Sequence, residues 1–199
     1  MCGICGELRF DGGAPDLAAL QRMMAQLARR GPDNEGGYSS GPVALGHRRL
    51  AIIDLSERAN QPMVDSELGV AVVFNGTIYN YRALRAELQA LGYRFFSDGD
   101  TEVIIKAYAA WGSACVEHLD GMFAFAVWDS RNQRLFLARD RLGIKPLYYS
   151  RNGQTLRFAS SLQALLAAGK VDTSIDPVAL HHQLTLHAVV PAPRTLLNG

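Results

Sequence analysis

The sequence predicts an α+β fold in which layers of strands and helices cover one another. Three observations carry that prediction. Four strand candidates, "MFAFAVWD", "RLFLARD", "PLYYS" and "LRFAS", follow one another at hairpin spacing with no helix between them. They are nearly continuous in apolar residues, the pattern of sheets covered on both faces. The helical segments occupy their own stretches of chain, which argues for layered α+β architecture over a doubly wound parallel sheet.

Each element follows from its own signals. "GELRF" has strand character and "DGGAP" is a turn. In "DLAALQRMMAQLARRG", Leu17, Leu20, Met24 and Leu27 fall on one helical face, and Gly31-Pro32 ends the segment. "PVALGHRRLAIIDLS" alternates loosely and is expected to be extended. "GVAVVFNGTIYN" is a strand running into an Asn75-Gly76 turn. In "NYRALRAELQALG", Asn80 is placed to cap a helix, Leu84, Leu88 and Leu91 to face inward, and Gly92 to sit just past the end. "TEVIIKAYAAWG" is a second helix ending at Gly112. The character changes after Gly169: "DTSIDPVALHHQL" is a short helix with Asp176 as cap and Pro177 in its first turn. Proline-rich "VVPAPRTLLNG" follows and has the look of a linker. This divides the chain into a domain over 2–168 and a connection over 169–199.

Composition excludes several function classes. Net charge is +1, from 20 Lys and Arg against 19 Asp and Glu spread along the chain, so no basic face is offered to nucleic acid. No apolar run approaches the roughly 20 residues needed to span a membrane. Glu7, Arg9 and Asp11 interrupt any signal-peptide core at the N-terminus. Three cysteines are too few and too uneven for a disulfide framework. A soluble, cytoplasmic protein is expected.

The cysteines raise the functional question, because "MCGICG" puts Cys2 behind Met1 and Cys5 three residues later. A redox Cys-x-x-Cys belongs at a helix start after a strand, where the dipole lowers a thiol pKa; here no strand can precede Cys2 and a strand follows. A zinc site needs about four ligands. Cys115 and His47, His118, His181, His182 and His187 supply no second ligand pair at fitting spacing, so no metal is expected. A nucleophile elbow at Cys5 lacks its second glycine. Cys5 is better explained as a small buried strand residue. For Cys2 the alternative is removal of Met1. That leaves a free α-amino group, with an ordinary pKa of about 7.7–8.0, beside the thiol as general base. Nucleophile and base then share one residue.

Seven segments, "MCGICGE", "RRGPDNEG", "LGHRRLAIIDLS", "FNGTIYNY", "GDTEVIIKAY", "LDGMFAFAVWD" and "ARDRLGIKPLYY", occur in the order found in class II glutamine amidotransferase domains. The chain resembles the asparagine-synthetase-type branch over essentially its whole length. The tail "LTLHAVVPAPRTLL" is similar to that of bacterial enzymes that amidate N-acetylglutaminylglutamine. The resemblance implies a four-layer αββα N-terminal-nucleophile sandwich, two antiparallel sheets between helices. It implies that Cys2 attacks the side-chain amide of glutamine, with release of ammonia and hydrolysis of a glutamyl thioester.

The same resemblance assigns further positions. Asn75 and Gly76 match an oxyanion pair, the Asn side-chain amide and the Gly backbone N–H; on sequence alone Asn-Gly is also a strong hairpin-turn signal. Arg49 matches the clamp for the glutamine α-carboxylate, with Arg48 left as the solvated strand arginine. Asp100 matches the acid that receives the α-ammonium group; by its position alone it is a helix N-cap. Ile52 and Ile53 fall where backbone carbonyls approach the substrate amine, and Thr77 beside the amino-acid pocket.

Thr77 stands where asparagine synthetases usually have Glu, and so does Ser161. These departures weaken the case for aspartate as acceptor against the dipeptide. The Ser-Gly-Gly-x-Asp-Ser phosphate loop of the synthetase half does not occur, so ATP and Mg are expected only in a synthetase domain or subunit that takes the ammonia, and this domain needs no cofactor of its own. A homodimer stays open. The competing assignments are a dithiol redox or metal protein using Cys2 and Cys5, and a catalytically silent binding module.

Overall fold

A computed structural model describes residues 1–199. Nine strands form two sheets. The first, in order β2-β3-β1-β9-β8, contains β1 (Gly3–Arg9), β2 (Asn34–Ser40), β3 (Val43–Arg49), β8 (Tyr148–Asn152) and β9 (Thr155–Ala159). The second, in order β4-β5-β6-β7, contains β4 (Met63–Asp65), β5 (Val70–Ile78), β6 (Gly121–Asp129) and β7 (Arg134–Arg139). Every pairing is antiparallel.

Alternation of side chains along each strand builds the layers. On β1 and β3, Ile4, Leu8, Val43 and Leu45 meet Ala71, Val73 and Trp128 of the second sheet, forming the core between the sheets. The opposite faces carry helices. Cys5, Ala44 and Ala159 pack under α1 (Leu17–Leu27) and α4 (Leu162–Ala168). Val70, Val72, Phe74 and Phe125 pack under α2 (Tyr81–Ala90) and α3 (Thr101–Trp111). The order helix, sheet, sheet, helix is the expected αββα sandwich. The short α5 (Pro177–Thr185) follows, with Asp176 accepting from the Val178 and Ala179 amides as the sequence suggested. No helix is long and apolar enough to cross a membrane.

Several local expectations need correction. Asn75-Gly76 is not a turn: β5 runs straight through it, with Asn75 opposite Ala124 and Gly76 opposite Phe123. Nine-residue pairing with β6 overrides the local Asn-Gly preference. Leu17 and Leu91 are exposed, because Asp16 caps α1 and puts Leu17 in its outward first position, while Leu91 lies past the last turn of α2. Ala19, Leu20, Met23, Met24 and Leu27 make the buried stripe instead. Asn80 makes no capping bond; its side chain bonds the His118 carbonyl and the Asp120 amide. Burial on both faces holds for β6, but β7 and β8 are sheet edges and expose part of their length. Only Val43–Arg49 of "PVALGHRRLAIIDLS" is a strand; a loop follows from Leu50.

One close approach shapes the site. A Cβ on Gly31 would come within 2.3 Å of the Arg48 backbone, so only glycine lets the segment after α1 cross β3 there.

Candidate active site

Cys2, Arg49, Asn75, Gly76, Thr77, Asp100, Ile52 and Ile53 all line one cleft of about 270 Å³. Strand parity explains the convergence. Arg49 shares the inner face of β3 with Val43 and Leu45, and Asn75 shares that of β5 with Ala71 and Val73. The same face that fills the apolar core therefore delivers polar groups where the two sheets end.

The Cys2 thiol lies against the Leu50 backbone, 3.5 Å from its carbonyl and 3.4 Å from its N–H. Burial raises its pKa above the ordinary thiol value, with the Leu50 bond, the terminal ammonium and Arg49 pulling the other way. Met1 precedes it, lines the cleft and receives the Lys145 ammonium at its sulfur, 3.4 Å away. Cys5 is on the other face of β1, fully buried beneath α1, with its thiol on the Gly46 carbonyl at 3.7 Å. Burial pushes its pKa far up. Cys2 precedes β1 with its thiol on the Leu50 backbone, whereas the Cys5 thiol is buried beneath α1 on the Gly46 carbonyl; the two share no partner, which removes the dithiol and shared-metal assignments. No cluster of His, Cys, Asp or Glu is placed to hold a metal ion.

Arg49 is 7% exposed and wrapped by the loop after β3. Its Nη1 donates to the Ser56 carbonyl at 3.0 Å and Asn60 Oδ1 at 2.7 Å, and its Nη2 to the Asp54 carbonyl. A guanidinium has five N–H groups. The Nε–H and one Nη2–H remain, which is the edge that binds a carboxylate in two-point fashion. Arg48 is instead paired with Glu35 on β2.

Asp100 occupies the N-cap position of α3 yet makes no side-chain cap bond. Its Oδ2 accepts from the Ile78 N–H at 3.0 Å, and burial raises its carboxyl above the usual range, partly offset by that bond. The Ile52 and Ile53 side chains are exposed at the cleft rim.

Asn75 is 1% exposed, and its side-chain Nδ2 has no partner. A buried amide donor without an acceptor is costly. Gly76 follows from register. Phe123, opposite Gly76, directs its N–H and carbonyl away from β5, to the Asp140 side chain and backbone. Gly76 is therefore in a non-hydrogen-bonded pair, and its N–H points off the open edge of β5 into the cleft. A Cβ there would lie 2.3 Å from the Met122 carbonyl, so the position needs glycine for close packing on β6.

Sequence reasoning missed Arg30, Lys145 and Gln61. Arg30 Nε donates to the Cys2 carbonyl at 3.1 Å, and burial lowers its pKa. "RRGPDNEG" was the available signal for it. Lys145 arrives on a loop pinned by Asp140, which accepts from the Ile144 and Lys145 amides; "ARDRLGIKPLYY" was the available signal for it. Ser161, a departure from the asparagine-synthetase pattern, caps α4 through the Ala164 amide at 3.3 Å.

A family model described as a glutamine amidotransferase domain matches residues 1–199. The glutamine-hydrolysing asparagine synthetases 3 and 1 of Bacillus subtilis (strain 168) are 40% identical over 183 residues and 38% over 199, covering 90% and 98% of this chain but 30% and 31% of their own lengths. Amidase chry2 of Gibberella zeae is 41% identical over 181 residues, 85% of this chain and 27% of its own. The chain thus spans about a third or less of these relatives. Among solved structures, the glutamine phosphoribosylpyrophosphate amidotransferase of Bacillus subtilis superposes with a TM-score of 0.70 at 20% identity, over 85% of this chain and 44% of that one. At that identity the likeness is one of fold. Sequence, sheet topology and comparisons agree, and the chain belongs to the glutamine amidotransferase domain family.

Proposed function

We propose that this cleft hydrolyses glutamine through an N-terminal Cys2 and supplies the ammonia to a synthetase domain. The carrying observation is the buried Asn75 Nδ2, unpartnered beside the cleft-facing Gly76 N–H. Two fixed donors without acceptors suit an oxyanion that exists only during reaction.

The steps follow from the chemistry of the groups. Once Met1 is removed, the Cys2 α-amine takes the thiol proton and the thiolate sulfur attacks the glutamine side-chain carbonyl carbon. The carbonyl oxygen becomes the oxyanion and takes bonds from Asn75 and Gly76. Collapse breaks the C–N bond, and the α-ammonium returns the proton to the leaving nitrogen as ammonia departs. Water, deprotonated by the same amine, then attacks the thioester and expels the Cys2 sulfur, leaving glutamate. The free edge of Arg49 takes the α-carboxylate. The second Asp100 oxygen takes the α-ammonium group, assisted by the carbonyls of Ile52 and Ile53, and Thr77 borders the pocket.

The names of the asparagine synthetases among the relatives support a synthetase that accepts the ammonia. Its acceptor is aspartate or, on the resemblance of the tail, N-acetylglutaminylglutamine, and that further domain, reached through residues 169–199, is the one to hold ATP and Mg²⁺. The test is ammonia release from glutamine by the chain freed of Met1, with Asn75→Ala alongside. The variant is expected to lose about 10²–10³ in kcat with little change in KM. An unchanged kcat contradicts the assignment.

A further inference from the structure

The open edge of β5 is closed by side chains where strand pairing stops. β4 pairs with β5 only as far as Val72. Phe74 is the next residue whose peptide faces that edge, and no strand reaches it. Its N–H donates to Gln61 Oε1 at 2.6 Å, and its carbonyl takes a bond from His47 Nε2 at 3.2 Å. Gln61 is itself held, since its Nε2 donates to Thr101 Oγ1 at 3.2 Å, at the start of α3 beside Asp100. His47 comes from β3 in the other sheet, on the same face as Arg49 and two residues before it. Both side chains are buried, His47 completely.

We infer that His47 and Gln61 are positioning residues for the oxyanion donors, standing in for absent β4 residues so that the Phe74 peptide fixes the aim of the Asn75 amide and the Gly76 N–H. This rests on the glutaminase mechanism above. Phe74 is bonded directly to Asn75, so any shift of its peptide rotates the next two residues. The two supports come from the elements that carry Arg49 and Asp100, which ties the donors to the amino-acid anchors. Burial pushes His47 down to about 4, so its ring is neutral near pH 7. A carbonyl partner requires the ring hydrogen on Nε2, which leaves Nδ1 as a buried acceptor without a partner. An orphaned ring nitrogen in the core costs stability; packing alone is better served by an apolar side chain.

The experiment is steady-state ammonia release by the chain freed of Met1, for wild type, His47→Leu, His47→Gln and Gln61→Met, with amide hydrogen exchange at 74–76 followed by NMR. His47→Leu and Gln61→Met are expected to lower kcat about tenfold or more with KM for glutamine held within about twofold, since neither removes a bond that Arg49 or Asp100 makes. Exchange at the Phe74 amide is expected to quicken in both. His47→Gln is expected to recover most of kcat, because its amide can donate to the same carbonyl. Wild-type kcat in folded His47→Leu and Gln61→Met overturns the inference, and so does a loss that falls on KM. If His47→Leu does not fold, Gln61→Met decides by the same criteria. A wild-type chain that releases no ammonia contradicts the glutaminase mechanism instead; hydrogen exchange then decides the positioning claim, and unchanged protection across 74–76 in the variants overturns it.

Discussion

The Asp100 carboxylate accepts the Ile78 backbone N–H at 3.0 Å and makes no capping bond to the helix it precedes. One oxygen is thereby fixed against β5, and the buried carboxyl lies in the cleft with its pKa raised by desolvation. The folded chain therefore holds this proton more tightly than the unfolded chain does. Its contribution to stability is full below the ordinary carboxylate pKa and is lost as pH rises through the raised folded value. Asp100→Asn removes that loss while keeping an acceptor for Ile78. Without glutamine, the variant's melting temperature relative to wild type is expected to climb as pH rises through this window. Its KM for glutamine at pH 7 is expected to increase about 10–100-fold, the loss of a charge-assisted bond of about 1.5–3 kcal/mol. In wild type, KM is expected to rise as pH falls through the same window, as the Asp100 carboxylate takes up its proton. An unchanged KM in Asp100→Asn removes this residue from the ammonium site.

Arg49→Lys tests the other anchor. An ammonium can meet one carboxylate oxygen but cannot keep the Ser56, Asn60 and Asp54 acceptors and present a paired edge together. KM for glutamine is expected to rise more than about tenfold, with kcat affected less. The loop over 54–60 is expected to become more protease-sensitive. Wild-type KM in Arg49→Lys contradicts the clamp.

Period-two patterning was enough to layer the sheets, and motif order pointed to Cys2, Arg49, Ile52, Ile53, Asn75, Gly76, Thr77 and Asp100 but not to Gln61 in the same cleft. β2 escaped because "NEGGYSS" has no apolar alternation; its partner β3 and the close pass of Gly36 against the Gln61 carbonyl hold it. The Asn75-Gly76 turn was misread because local propensity knows nothing of β6. The Phe74 contacts of His47 and Gln61 were invisible for a similar reason: they join separate sheets and loops, and no spacing rule encodes them.

The cysteines separate chemically. Cys2→Ser is expected to abolish ammonia release. Cys5→Ser is expected to keep most of it, since a hydroxyl can inherit the bond to the Gly46 carbonyl on the far side of β1. Comparable loss in both variants, each shown folded by circular dichroism, restores a joint role for the two thiols.

Whether Cys2 acts with its own α-amine is decided at Met1. With Met1 attached the Cys2 nitrogen is a peptide nitrogen that cannot take a proton, and the Met1 side chain occupies the cleft against Lys145. The most direct measurement is ammonia release by two preparations distinguished by intact mass, one retaining Met1 and one freed of it by an aminopeptidase. Activity is expected only in the second. Equal turnover by the preparation that retains Met1 would contradict the N-terminal-nucleophile mechanism.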